Sequence, residues 1–207
     1  MTSALIIAGA RVHTSPEQTV QADLHVAGTR VASHEVSPDS ARLIDATGAS
    51  VVPLLVHSVF EDPEPPAPSA FDLTPGRPAT FAAVRGKVRS TRITRMLVVQ
   101  PRDLVAVEGE LIAIDGEPTR PSGPDGLDPG DPRLGPWTDT RRDMTQYLQW
   151  DGRYTETRNG RPNAYTGRFW LNSDRITYLD DTGFWAFGQY HHGVLHHAGY
   201  VLHSADA

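Results

Sequence analysis

Three observations predict an all-β chain in two parts: a small β-sandwich, then an antiparallel up-and-down meander that curls or closes into a small barrel. The apolar and β-branched runs are short and bounded by Gly, Pro, Asp or Ser. Nothing in residues 1–118 holds a helical period for the length a helix needs. In the C-terminal third, Asp-Gly and Asn-Gly dipeptides punctuate amphipathic strands, and both residues of such a pair suit the left-handed conformation of a tight hairpin.

In chain order, the expected strands of the first part are Ala4–Ile7, Leu24–Val26, Arg30–Ala32, Val51–Val56, Thr80–Val84, Met96–Val99, Leu104–Val107 and Leu111–Ile114. Ala27-Gly28-Thr29, Glu108-Gly109-Glu110 and Asp115-Gly116 mark turns. Two stretches interrupt the pattern. EDPEPPAPSA (61–70) holds four Pro, and Pro118 to Pro136 holds six more. Proline lacks an amide donor and fixes φ, so neither stretch continues a helix or a central strand. The second, read as a linker over 119–136, is the domain boundary because composition changes across it. It separates residues 1–118 from 137–207.

All four Trp and all six Tyr lie from Trp137 onward, and five of the nine His follow at positions 191, 192, 196, 197 and 203. The expected strands there are Thr145–Trp150, Tyr154–Arg158, Tyr165–Leu171, Arg175–Leu179, Phe184–Tyr190 and Val194–His203. Turns fall at Asp151-Gly152, Asn159-Gly160, Asn172-Ser173-Asp174, Asp181-Thr182-Gly183 and His192-Gly193. Such a meander can enclose an interior.

A chain of 207 residues suits one ordinary domain or two small ones. Its formal net charge of −6 gives no basic surface for nucleic acid or anionic membrane. Cysteine is absent, which excludes disulfides, thiolate catalysis and Cys-ligated metal. The apolar run Ala4 to Ala8 lacks the basic start and length of a signal peptide, and no stretch approaches a membrane span. The expected location is therefore cytoplasmic. No phosphate-binding glycine loop, dinucleotide fingerprint or Gly-x-Ser-x-Gly elbow occurs, so no cofactor is expected.

The run LIIAGARVHTSPEQTVQADLHVAGTRVA, followed by LIDATGASVVPLLVHSVF, resembles the small β-domain that precedes the catalytic barrel of amidohydrolases such as dihydroorotases and imidazolonepropionases. In that family an Ile-Asp-Ala-Thr-Gly…Pro stretch leads to a His-x-His metal pair. Here the corresponding positions are Val59 and Glu61, with His57 where the family usually has Asp. EDPEPPAPSA occupies the place of the family's whole barrel. From Leu73, LTPGRPATFAAV and LVVQPRDLVAVEGELI look like the part of the same domain that follows it. The resemblance implies a scaffold without amidohydrolase activity.

DGRYTE (151–156), AYTGRFW (164–170), RITYLDDTGFWAFG (175–188) and GVLHHAGYVL (193–202) are similar to a small uncharacterised bacterial family with a streptavidin- or lipocalin-like curled sheet. That resemblance implies a ligand cavity and names no occupant. This chain departs from it in Trp170, Trp185 and the His-rich turn at 191–192.

Within the barrel, Ile176, Tyr178 and Asp180 share one face, as do Tyr165, Gly167 and Phe169, while Arg168 and Trp170 share the other. Which face points inward is open. The candidate catalytic residues are His197, Asp180 and Tyr165. Tyr154, Arg168, Tyr178 and Trp185 are the candidate ligand-binding residues. Asp180 and Asp181 point to opposite faces, so a coupled carboxylate dyad is not expected, and turn formation is their ordinary role. No metal is expected from a single strand. A one-strand chelate needs His-x-His, His196 and His197 face opposite ways, and His197 and His203 are too far apart on one strand. A cross-strand site using His191 or His192 stays open, with turn and surface positions as the ordinary reading of these histidines.

These residues suit a barrel that encloses a hydrophobic or aromatic small molecule, as a metal-independent cyclase or isomerase of specialised metabolism. The alternatives are a non-catalytic carrier and an oligomerising module, a homodimer through its edge strands.

Overall fold

Strands make up 54% of the described residues and helix 4%. The computed structural model describes residues 4–89, 98–99, 103–122 and 128–205. It forms two units, one of Met1–Leu55 with Pro65–Thr119, the other of Val56–Glu64 with Arg120–Ala207. Among the described residues no helix is long and apolar enough to cross a membrane.

The first unit is built on β1 (Ala4–His13), β2 (Thr19–Ala27), β3 (Arg30–Val31), β4 (Ala41–Asp45), β5 (Ala49–Pro53) and β6 (Phe81–Arg85). A two-residue strand β7 (Val98–Val99) is all that is described of the expected Met96–Val99, and β8 (Leu104–Val107), β9 (Glu110–Ile114) and β10 (Glu117–Pro118) complete it. Nine of these form a mixed sheet ordered β10-β9-β8-β6-β5-β1-β2-β3, with β4 on β1. A bulge between Ile7 and Ala10, where Gly9 has φ 67°, bends β1. Its first half pairs in parallel with β4 and its second with β5.

The sheet curls enough for distant members to meet. A Cβ on Gly109 in the β8–β9 turn would come within 1.9 Å of the Gly28 carbonyl in the β2–β3 turn. Only glycine permits that approach. Leu5, Ile7, Val12, Val26, Val51, Phe81 and Ala106 share the enclosed core. β4 was not expected. Its ARLID segment is largely exposed and is held by parallel pairing to β1, a non-local partner that local pattern does not reveal.

The second unit holds eight further strands: β11 (Gly135–Asp139), β12 (Met144–Leu148), β13 (Arg153–Arg158), β14 (Arg161–Asn172), β15 (Arg175–Asp180), β16 (Trp185–His191), β17 (Val194–His197) and β18 (Tyr200–Ser204). Each pairs antiparallel with the next. β18 returns to β11 through Trp137↔Ser204 and Thr138↔His203, closing the barrel.

Two differences turn the expected six strands into eight. β11 begins inside the segment read as linker. The run Val194–His203 is broken by a tight turn in which Ala198 has φ 50° and Gly199 φ 79°. Ala198-Gly199 is a weaker turn signal than Asn-Gly or Asp-Gly, and the break falls inside the expected strand. His197 and His203 therefore sit on different strands, and the spacing argument applied to them does not hold.

Candidate functional site

The alternation of each barrel strand places one set of side chains inside. Register pairs Leu148 with Tyr154, Gln146 with Glu156, Tyr154 with Gly167, Phe169 with Tyr178, Ile176 with Gly188 and Leu195 with Leu202. Trp137, Met144, Leu148, Phe169, Ile176, Leu195 and Leu202 pack together there. An eight-stranded barrel is about wide enough for its side chains to fill.

A connected polar group runs through this apolar interior. Glu156 is 1% exposed and His197 4%. His197 Nε2 lies 3.3 Å from Glu156 Oε1. Gln146 Nε2 donates to the same oxygen at 2.9 Å, and the Tyr178 hydroxyl donates to Gln146 Oε1 at 2.7 Å. Arg158 Nε donates to Glu156 Oε2 at 2.8 Å. His197 Nδ1 faces the Phe187 carbonyl at 3.2 Å. Both ring nitrogens thus face acceptors, so a proton must lie between Nε2 and Oε1. Burial alone would raise the Glu156 carboxyl. The hydrogen bond and charge of His197, with Arg158, outweigh it and hold the group below the usual carboxylate range. Glu156 is an anion facing the Arg158 guanidinium on one side and the His197 ring on the other.

An aromatic column adjoins the pair. The His197 and Tyr178 rings are 4.4 Å apart between centroids, and Tyr178 meets Tyr154 edge-on at 5.0 Å. Tyr154 donates to Asp180 Oδ2 at 3.3 Å. Burial, with nearby carboxylate charge, pushes the Tyr154 phenol well up, and burial does the same to Tyr178, so both stay neutral donors. Gly167 makes room for this column. A Cβ there would come within 2.2 Å of the Leu179 carbonyl and 2.7 Å of the Tyr154 ring.

At one end the column gives way to solvent. Arg158, its side chain 24% exposed, lies over Tyr165 at 4.4 Å and over Tyr200 at 5.0 Å. Arg142 lies over the same Tyr200 ring at 5.6 Å. Tyr165 is 47% exposed beneath the Arg158 guanidinium.

Four of the seven residues expected at the site, Tyr154, Tyr178, Asp180 and His197, come together inside, and Tyr165 is half-exposed beside Arg158. Arg168 and Trp185 do not join them. They project from the outer face, opposite each other's neighbours in register: Arg168 pairs with Leu179, and Leu179 with Trp185. Trp185 meets Trp170 in a tilted contact with ring centroids 5.4 Å apart, and Arg168 lies over Trp170 at 5.9 Å. Asp180 accepts from the Tyr154 hydroxyl. Its other oxygen accepts from the Thr182 amide at 2.8 Å and the Thr182 hydroxyl, a turn function. Asp181 lies on the other face, taken by Arg153 at 2.7 Å and Thr166 at 2.6 Å. Glu156, Gln146 and Arg158 were missed. Their signal was present: Tyr154, Glu156 and Arg158 share a strand face, and charge on a face that also carries a buried aromatic is anomalous.

Eight sequential antiparallel strands closed round a hydrogen-bonded polar group define a small up-and-down β-barrel protein. A family model described as Agrobacterium tumefaciens protein Atu4866 matches residues 130–204, which contain every barrel strand. The solution structure of the protein Atu4866 from Agrobacterium tumefaciens is 37% identical over 36% of this chain and 95% of that chain, with a TM-score of 0.33. Through its barrel the chain belongs to the Atu4866 family, a small uncharacterised one. No curated protein matches the chain. The amidohydrolase resemblance of residues 1–118 gains no support from these comparisons.

Proposed function

We infer that the barrel binds a hydrophobic or aromatic small molecule at the mouth formed by Arg158, Tyr165 and Tyr200, above the Glu156–His197 pair. One observation carries this reading: a carboxylate, an imidazole, an amide and a phenol joined by hydrogen bonds in an otherwise apolar interior. Burying ionised groups costs several kcal/mol each in effective terms, and well-packed apolar residues of similar volume often serve stability as well or better. Such groups cluster at functional sites. Arg158 links the buried carboxylate to the exposed lip, and aromatic side chains with polar handles suit a planar ligand.

On this reading His197 and Glu156 supply a proton donor and acceptor pair beside the bound molecule. Chemistry of this kind needs no metal or nucleotide, and its natural form is isomerisation or cyclisation of a substrate held in one conformation. Residues 1–118 act as a scaffold, on the amidohydrolase resemblance of their sequence.

Native mass spectrometry of the full chain, beside a denatured sample, tests binding. A mass excess lost on denaturation and absent from Tyr165→Ala supports the mouth site, and an excess unchanged in that variant overturns it. Once the molecule is identified, Glu156→Gln separates enzyme from carrier. Loss of turnover with retained binding marks an enzyme. Binding without turnover in the unaltered protein marks a carrier.

A further inference from the structure

His191 and His192 close the β16–β17 hairpin, and their side chains depart from strand alternation. Adjacent strand residues project to opposite faces. Here the two imidazoles stack with centroids 4.0 Å apart. The turn explains it. His192 has φ 47° and Gly193 φ 77°, which brings the second ring round beside the first.

The segment Val56–Glu64, part of the barrel's unit, faces these rings. Asp62 Oδ1 lies 3.6 Å from His192 Nδ1 and 4.0 Å from His191 Nε2. One ligand atom from each of the three residues falls within 4.8 Å of the others. Donors bound tetrahedrally to zinc at ~2.1 Å stand ~3.4 Å from one another. Only a small closure of these side chains is required. The Asp62 carboxylate is already oriented, since Oδ1 accepts from the Glu64 amide at 2.9 Å.

A third imidazole stands beside them. His196 is 1% exposed, and its ring centroid lies 6.2 Å from that of His191. Its Nδ1 meets Ser58 Oγ at 3.2 Å, while its Nε2 has no hydrogen-bond partner among the described residues. A buried imidazole nitrogen left in this state is costly unless something polar reaches it. Imidazole-rich donor sets favour zinc and its transition-metal neighbours over calcium or magnesium, which take oxygen.

We propose that Asp62, His191 and His192 bind one divalent transition-metal ion of the zinc class, pinning segment 56–64 to the β16–β17 hairpin. The fourth position is left to water or to His196. His191 Nε2 now donates to the Glu64 carbonyl at 3.0 Å. Coordination through that nitrogen replaces this proton, so binding releases it and weakens in acid.

The test uses the full chain, stripped with EDTA and titrated with zinc chloride by isothermal calorimetry, beside Asp62→Asn and His192→Asn. Asparagine keeps an acceptor for the Glu64 amide in the first variant. In the second it tolerates the left-handed turn. Metal-free far-UV circular dichroism and Tm confirm that each variant folds. Should Asp62→Asn fail to fold, His192→Asn carries the test, because that side chain is 53% exposed.

The expected result is one zinc per chain, a Tm that rises with zinc and returns with EDTA, and binding weakened roughly tenfold or more in each variant. Cobalt(II) should give visible absorption of a four- or five-coordinate site, lost in the same variants. No binding in the sub-millimolar range, or unchanged binding in the folded variants, overturns the assignment.

Discussion

Glu156 and His197 meet across the barrel interior, Oε1 to Nε2 at 3.3 Å, although their strands β13 and β17 are not neighbours in the sheet. The contact ties opposite walls together. It also concentrates the interior's charge at one point, because Arg158 approaches the other carboxylate oxygen at 2.6 Å.

Glu156→Gln should therefore be strongly destabilising. It leaves the Arg158 guanidinium and the His197 ring facing a neutral amide, and removing one partner of a buried pair costs about 3–5 kcal/mol. Urea unfolding measures the loss. A double variant with His197→Gln should recover part of it, and strict additivity would show that the two residues are uncoupled.

Acid should unfold the protein through two windows. Burial, with the charge of Arg11, holds the His13 imidazole below its usual value of 6.5. The unfolded chain then binds a proton more readily, so this contribution is complete above 6.5 and is lost as pH falls below it. The Glu156 carboxyl is held below its usual 4.5, so its contribution is complete above 4.5 and lost as pH falls through the lower folded value. Unfolding curves at neutral, mildly acidic and strongly acidic pH should show both steps. His13→Asn should reduce the first step, to which the buried His196 also contributes, and leave the second unchanged.

Gly167→Ala should cost about 1–3 kcal/mol by overpacking. The obstructing atoms include the Leu179 carbonyl and the Asp180 Cα, and backbone cannot yield as a flexible side chain does. A lowered Tm with weakened near-ultraviolet tyrosine dichroism is the expected reading. An unchanged Tm would mean that the column can shift.

Ala198→Gly should stabilise the barrel. Ala198 holds φ 50°, a conformation that costs a β-carbon roughly 1–2 kcal/mol. Part of this is offset by the greater freedom of glycine in the unfolded chain, leaving a gain of about 0.5–1 kcal/mol. Thermal melts check the sign.

Tyr165→Ala should cost no more than about 1 kcal/mol, since the side chain is half-exposed and its contact with Arg158 faces solvent. Ligand retention should fall all the same. Melts and native mass spectra on the same preparation separate the two effects, and a variant that unfolds early would place Tyr165 in the core.

Much of the barrel was legible because its signals are local. The turns at Asn159-Gly160 and His192-Gly193 have positive φ at both residues, as their glycines imply. The shared faces of Tyr165, Gly167 and Phe169, and of Ile176, Tyr178 and Asp180, follow from a side-chain period of two that each strand carries in its own residues.

What the sequence by itself determined is the all-β class, the hairpin sites and these face assignments, all set by interactions between residues a few positions apart. Tertiary structure decided the rest. It chose which face turned inward, closed β18 on β11, seated β4 beside β1, and assembled Glu156 with His197 and Asp62 with His191. Those partners lie tens of residues apart or more, and their meeting depends on the stagger with which the sheet closes. No local pattern records that stagger, because it emerges from the pairing of all eight strands at once.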